Sequence, residues 1–375
     1  MVKKFTLVFL LAGVCFAVTT AASAAVSPTV KLTLLNTLAR ADGEEYGFYG
    51  YGTGRLTLKS AGEKNVRAQL SLDTVIGDEV LLDVSRAYVK TRFPRFRITV
   101  GRDAVSWGEG TYFNAGDVIF GPVPVSGDLT AEVLRDDAVW LTSAYIPLGT
   151  YAFFEPVLLA PGLDLSVSAG TGNVGTGAAG SFSSASMRDT SAGGRVVTKI
   201  AGIKSEAGYL FSEAEGTHNP FLALQGHLLA DLYLAASVSI PGPESGSYME
   251  AAFSFGLFHL QSMKNRPAGD LSFRLEGLVR PSGEWEAVPG GSDAYGILLY
   301  PEAVWDAART LSFLGRSVIS PLDRSALFTA GVNWNVYEGL KVLGYIFMQA
   351  GEEEDLYGFR KPGGAGISAG LQYIY

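Results

Sequence analysis

The chain has a single cysteine among its 375 residues, Cys15, inside an N-terminal apolar run. Once that run is removed no thiol remains, which excludes disulfides, thiolate metal sites and cysteine redox chemistry. Histidine is nearly as scarce, with only His218, His227 and His259. None of them stands at metal-ligand spacing or beside a Ser-x-Gly element, so an activated nucleophile or a metal-held water has no visible base. Charged residues make up 18% of the chain and the formal net charge is −8. Loss of Lys3 and Lys4 with the N-terminal segment would make it −10, a balance that does not attract nucleic acid or anionic lipid. After residue 25 there is no clean run of about 20 apolar residues, the length a membrane helix requires. The nearest, residues 220–240, is interrupted by Gln225, His227 and Asp231.

The N-terminus itself is explicit. Lys3 and Lys4 precede an apolar run over residues 5–18, and Ala22-Ser23-Ala24 supplies small residues for cleavage. This is the pattern of a secretory signal peptide spanning residues 1–24, with a mature chain from residue 25 to 375. That mature chain is apolar on average and contains 46 glycines, 17 tyrosines and 21 phenylalanines. Such a chain is too apolar for an easy soluble surface, yet it lacks transmembrane helices. A closed barrel resolves the conflict, because its backbone bonds close between strands and its apolar residues alternate with polar ones.

The alternation is explicit in several segments. Over residues 66–74, Val66, Ala68, Leu70 and Leu72 alternate with Arg67, Gln69, Ser71 and Asp73. Over residues 271–279, Leu271, Phe273, Leu275, Gly277 and Val279 oppose Ser272, Arg274 and Glu276. Hairpins are expected around residues 94, 147–149, 201–202 and 338–339. Longer polar or glycine-rich loops are expected at residues 41–47, 101–136, 161–194, 281–293 and 351–364. Short turns on one rim and long loops on the other fit an outer-membrane barrel. Counting gives 14 to 18 strands. An even number of about 16 is expected, so the fold class is all-β, a transmembrane antiparallel β-barrel with a cleaved signal peptide. Residues 295–315 read either as a hairpin or as a short helix, since residues 302–308 are good helix formers. A barrel of this width leaves an aqueous lumen.

If the apolar sets face lipid, their partners line the pore: Arg86, Tyr88, Lys90, Arg92 and Arg97, on two adjacent strands. Charge on the lipid face would cost ~2–4 kcal/mol per Arg or Lys near the midplane. A ladder of fixed positive charge would favour anions weakly. After the fifth strand, read as residues 96–100, comes a connection of about 35 residues, a length that is usually functional. It carries Arg102, Trp107, Glu109, Phe113, Asn114 and Asp117 and is rich in aromatics.

Gly101-Arg102, Trp107-Gly108 and Asn114 resemble a segment of large porin-like families, including the alginate-export and phosphate-selective porin groups. In general porins the third external loop lies between strands five and six and folds inward. The resemblance therefore implies a constriction here, with Glu109 and Asp117 facing the basic wall. The final strand also resembles that of bacterial outer-membrane proteins: Ile367, Leu371, Tyr373 and Tyr375 fall on one face and the chain stops on an aromatic. That resemblance implies reading by the barrel-insertion machinery.

The function expected is passive diffusion of small hydrophilic solutes through the bacterial outer membrane. No cofactor or metal is expected, and outer-membrane lipid and the barrel-assembly machinery are the expected partners. A homo-oligomer is compatible with the sequence. The rival readings are an outer-membrane barrel enzyme of lipase or protease type and a structural or adhesive surface barrel. The run Glu352 to Asp355 lacks the spaced ligands of a calcium site and reads as a solvated loop tip.

Overall fold

A computed structural model describes residues 26–40, 45–60, 65–77, 79–160, 166–170, 179–181, 190–243, 248–261, 269–358 and 364–375. The expected signal segment lies outside them. Among the described residues there are twenty strands: β1 (Val26–Arg40), β2 (Tyr46–Ser60), β3 (Val66–Ile76), β4 (Glu79–Arg92), β5 (Arg97–Asp103), β6 (Val139–Pro147), β7 (Ala152–Leu159), β8 (Ser166–Gly170), β9 (Ala179–Ser181) and β10 (Ser191–Ile200). The remainder are β11 (Ile203–Ser212), β12 (Thr217–His227), β13 (Asp231–Pro241), β14 (Glu250–Gln261), β15 (Leu271–Val279), β16 (Ile297–Ala308), β17 (Leu311–Ser320), β18 (Ser325–Tyr337), β19 (Leu340–Ala350) and β20 (Ala365–Ile374).

Each strand pairs antiparallel with its sequence neighbour from β1 to β7, β7 pairs with β10, and the order then runs to β20. β20 returns to β1 over Lys31↔Ile374 to Ala39↔Gly366 and closes the ring. The closed wall therefore has 18 strands, which corrects the expected 16 to the top of the 14–18 range. β8 and β9 stand outside the wall: β8 pairs with the first residues of β4, Glu79 to Asp83, above the point where β5 leaves it. Residues 295–315 belong to the β16–β17 hairpin. The helix alternative fails because residues 302–308 must continue a ladder begun between β15 and β16.

The exposure pattern is the inverse of a soluble protein's. Phe273 and Leu275 of β15 point outward and are exposed, whereas Glu276 on the other face is fully buried. The same holds around the ring: Thr33, Ser71, Ser254, Ser368 and Gln372 are buried within, while Leu34, Leu70, Phe255, Ile367 and Leu371 are exposed without. Hydrocarbon outside and a wet polar interior are the conditions under which period-two strands bury polar groups and expose apolar ones. Aromatics collect on the outer face near the short-turn rim. Phe93 stacks on Phe96 at 4.6 Å and Trp305 on Phe313 at 5.5 Å, with Trp334, Tyr373 and Tyr375 also exposed. An aromatic girdle at a membrane interface has this form.

Turns on that rim are short. The β10–β11 hairpin turns on Ala201 and Gly202 at φ +50° and +86°, the pair of left-handed residues of a type I′ turn, whose twist matches the strands it joins. The opposite rim carries the long connections, and the longest of those fully described, residues 104–138, supplies the packed core of the molecule from inside the ring.

Candidate functional site

Residues 104–138 leave β5 and turn into the barrel. Local sequence makes the first turn rigid. The Asn114 side-chain amide donates to the Trp107 carbonyl at 2.9 Å, and its oxygen accepts the Gly116 amide at 3.1 Å. This closes a small knot around Gly108, at φ +72°. A Cβ there would lie 2.6 Å from the Asn114 side-chain oxygen and 2.8 Å from the Gly116 Cα, so glycine is required by both dihedral and space. Trp107 then stacks on Phe221 of β12 at 5.4 Å and packs among Leu141, Val157, Leu159 and Leu210 on the inner wall. Further along, Tyr112 stacks on Tyr300 of β16 at 4.7 Å, and Phe113 packs with Leu278, Leu298 and Val318. Water is excluded from both clusters.

Polar groups on the wall satisfy the backbone amides of this apolar insertion. The buried Glu276 carboxylate accepts from the amides of Thr111 (2.9 Å), Tyr112 (2.7 Å) and Phe113 (2.8 Å). Glu206 of β11 accepts the Gly108 amide at 2.9 Å, and Ser254 of β14 accepts the Ala115 amide at 2.8 Å. From β17, the Arg316 guanidinium donates to the carbonyls of Leu129 (3.1 Å) and Ala131 (2.8 Å). Arg195 of β10 donates to the Ser106 carbonyl while holding Glu155 at 2.7 Å and Glu206 at 2.8 Å. A buried amide left without a partner costs about 1–3 kcal/mol, so these contacts set where the segment rests.

The insertion also braces itself. Arg135 donates to Asp117 at 3.0 Å and to the carbonyls of Tyr112 and Gly121. Burial pushes the Asp117 carboxyl up to about 6, opposed by Arg135 and by the amides of Ile119 and Phe120. The far end of the segment crosses to the opposite wall. Asp136 pairs with Arg55 of β2 at 3.2 Å and with Arg86 of β4, while Glu132 pairs with Lys31 of β1 at 3.0 Å.

Arg86, Tyr88 and Lys90 share the inner face of β4. Lys90 pairs with Asp103 at 2.7 Å and lies over the Tyr88 ring, and Arg86 reaches Asp103 and Asp136. Arg92 and Arg97 face each other across the β4–β5 hairpin at the short-turn rim, Arg97 over the Tyr145 ring at 4.5 Å. Trp107, Phe113 and Asn114 come together in the inserted segment, all fully buried. The expected charge opposition is different in detail. Glu109 pairs with Lys204 of β11 and Asp117 with Arg135, so neither faces the Arg86–Lys90 wall; Asp103 and Asp136 do. The reason is reach: residues 107–117 are held against β11–β16 by the amide contacts, and only residues near 136 return to β4. Arg102 lies in β5 itself and contacts Asp83 at 3.4 Å. His218 sits in β12 beside Tyr209.

Glu276, Glu206, Arg195, Arg316 and Arg135 were not singled out from the sequence. A signal existed for the first four: each is charged and falls on the inner face of a strand. Ile367, Leu371, Tyr373 and Tyr375 do line up outward, and the amides of Val30 and Tyr375 exchange hydrogen bonds at 2.9 and 2.8 Å across the closing seam.

No family model matches the chain, and a search of curated proteins finds no match. Solved structures do resemble it. Pseudomonas aeruginosa OpdL aligns with a TM-score of 0.55 at 11% identity, over 93% of this chain and 98% of its own. Pseudomonas aeruginosa OccK11 (OpdR) aligns at 0.54 with 13% identity, over 92% and 95% respectively. Pseudomonas putida OprB aligns at 0.51 with 10% identity, over 94% of each chain. These neighbours are outer-membrane porins, and at such identities what this chain shares with them is the fold: a closed porin-type barrel.

Proposed function

We propose that this protein is a passive channel of the bacterial outer membrane for small hydrophilic solutes, with residues 104–138 as its constriction. The observation that carries the reading is the inserted segment itself, bonded to Glu276 on one side of the lumen and to Arg55 and Arg86 on the other. A purely structural barrel has no need of a narrowed, charge-lined interior, whereas a size-selective pore does. An aqueous lumen with fixed charges on its wall admits hydrated solutes and ions and excludes large ones.

Charge selection is weak in this proposal, and anions are favoured. Arg86 and Lys90 are compensated by Asp103 and Asp136. Arg92, Arg97 and Lys199 have no carboxylate partner among the described residues and sit toward the short-turn mouth. They supply the excess positive potential. The closing strand, with Ile367, Leu371, Tyr373 and Tyr375, serves as the insertion signal for the assembly machinery.

Purified protein added to planar bilayers is expected to give discrete conductance steps in potassium chloride. Hydrolysis of phospholipid or peptide without any conductance would replace this reading with a barrel enzyme.

A further inference from the structure

On the long-loop side of the inserted segment, a pocket of about 260 Å³ opens between that segment and the tops of β12 to β15. Asn219 of β12 and Ser237 and Ser239 of β13 line one side, and Ser282, just past β15, lines another. Two charges of opposite sign border it: Glu250, the first residue of β14, and Arg280, which follows β15. Asp117 closes the floor but is already engaged by Arg135. Arg280 donates to the Asp293 carbonyl. No salt bridge within 4 Å joins Glu250 to Arg280 or to another cation of the described residues, although Arg280 lies in the field of Asp293 and, more weakly, of Glu250.

This arrangement differs from the rest of the lumen. Elsewhere along the inner wall the acids are matched to a cation within about 4 Å, as Glu206 is to Arg195, Glu302 to Arg316 and Asp73 to Arg55. Here an acid and a base on adjacent strand ends face a shared space and do not reach each other. Neutral hydrogen-bonding groups fill the remainder of the lining. A guest that matches it carries one anionic and one cationic group a few bonds apart. Its carboxylate would take the Arg280 fork and its ammonium the Glu250 carboxylate. A purely anionic guest would meet Glu250 unmatched, and a purely cationic one would meet Arg280.

We infer that this pocket is an entry subsite for small zwitterionic solutes of the α-amino-acid kind, placed immediately before the constriction. The inference deepens the channel reading and rests on it for its biological meaning, but the binding itself does not require conduction.

The test uses detergent-purified protein and four probes of similar size: L-alanine (zwitterion), L-lactate (anion), isopropylammonium (cation) and lactamide (neutral). Saturation-transfer NMR reads their half-saturation concentrations. Alanine is expected to bind about five-fold more tightly than lactate or isopropylammonium, the increment of one partly exposed ion pair, and by a larger factor than lactamide, which makes neither pair. Glu250→Gln is expected to weaken alanine about five-fold while lactate is unchanged or tighter, and Arg280→Gln to do the converse for isopropylammonium. Glu338→Gln, in the β18–β19 turn at the other mouth, leaves all four values as they were. Glu250 is exposed, so its substitution leaves the barrel intact, and strand content by circular dichroism verifies this. Equal affinity for alanine and lactamide, or alanine binding indifferent to Glu250→Gln, overturns the inference. Conductance in planar bilayers without alanine preference would sink the subsite and leave the channel standing; alanine preference without conductance would do the reverse.

Discussion

The carboxylate of Glu276 and the amide of Phe113 meet at 2.8 Å, although 163 residues separate them in the chain. One buried side chain on β15 takes three consecutive amides of the inserted segment and has Arg274 at 3.4 Å for charge balance. Such a contact acts as a latch between wall and constriction.

Glu276→Gln retains the shape but turns an acceptor into a donor aimed at amide hydrogens. The latch should lose on the order of 2–3 kcal/mol. The barrel, held by its strand ladders, is expected to remain. Single-channel recordings should show higher and noisier conductance, and limited proteolysis should cut within residues 104–138. A variant with wild-type conductance and protection would remove Glu276 from the account.

Gly108→Ala strikes the same segment from within. A methyl group at φ +72°, 2.6 Å from the Asn114 side-chain oxygen, breaks the knot at a cost of about 1–3 kcal/mol. Its conductance change should resemble that of Glu276→Gln. Because both changes release one segment, the double variant should add little. Simple additivity would mean that two independent structures were affected.

Asp117 gives a pH dependence with a definite sign. Its carboxyl is raised in the folded protein from 3.8 to about 6, so the folded state holds this proton more firmly than the unfolded chain. Its contribution to stability is therefore full below pH 3.8 and is lost as the pH rises through about 6, on the order of 3 kcal/mol in all. The melting temperature of wild type relative to Asp117→Asn is expected to fall across that window. A difference that stays flat between pH 4 and 7 refutes the assignment.

Selectivity separates the compensated cations from the free ones. Arg92→Gln with Arg97→Gln should move the reversal potential in a salt gradient toward cations, and high salt should erase the change. Arg86→Gln with Lys90→Gln should move it further in the same direction, because Asp103 and Asp136 are then left without their partners on β4. An unchanged potential in both pairs would take fixed lumen charge out of the mechanism.

The wall was largely legible in the sequence because its physics is local. β15 was readable from Leu271, Phe273 and Leu275 alternating with Ser272, Arg274 and Glu276. Residues 220–240, too polar at Gln225, His227 and Asp231 for a membrane helix, are the β12–β13 hairpin with its turn at 228–230. The strand number was two short. The stretch from 302 to 308 has helical propensity, and only pairing on both flanks makes it a strand; Glu302 is held there by Arg274 and Arg316. The site was harder. The length and aromatics of residues 101–136 marked a special connection, but the sequence could not say which wall it would meet. Glu276 accepts backbone amides, and every residue but proline has one, so nothing in the partner's sequence advertises the contact.

The seam between β1 and β20 has a consequence for biogenesis. The first strand waits for the last, since Val30 has its partner in Tyr375. Until β20 arrives, every intermediate is an open sheet with two bare edges and a greasy flank, a species that invites aggregation in the aqueous compartment. Arrival of β20 and sealing of the wall are thus one event, and a chain without that strand leaves β1 with nothing to fasten to.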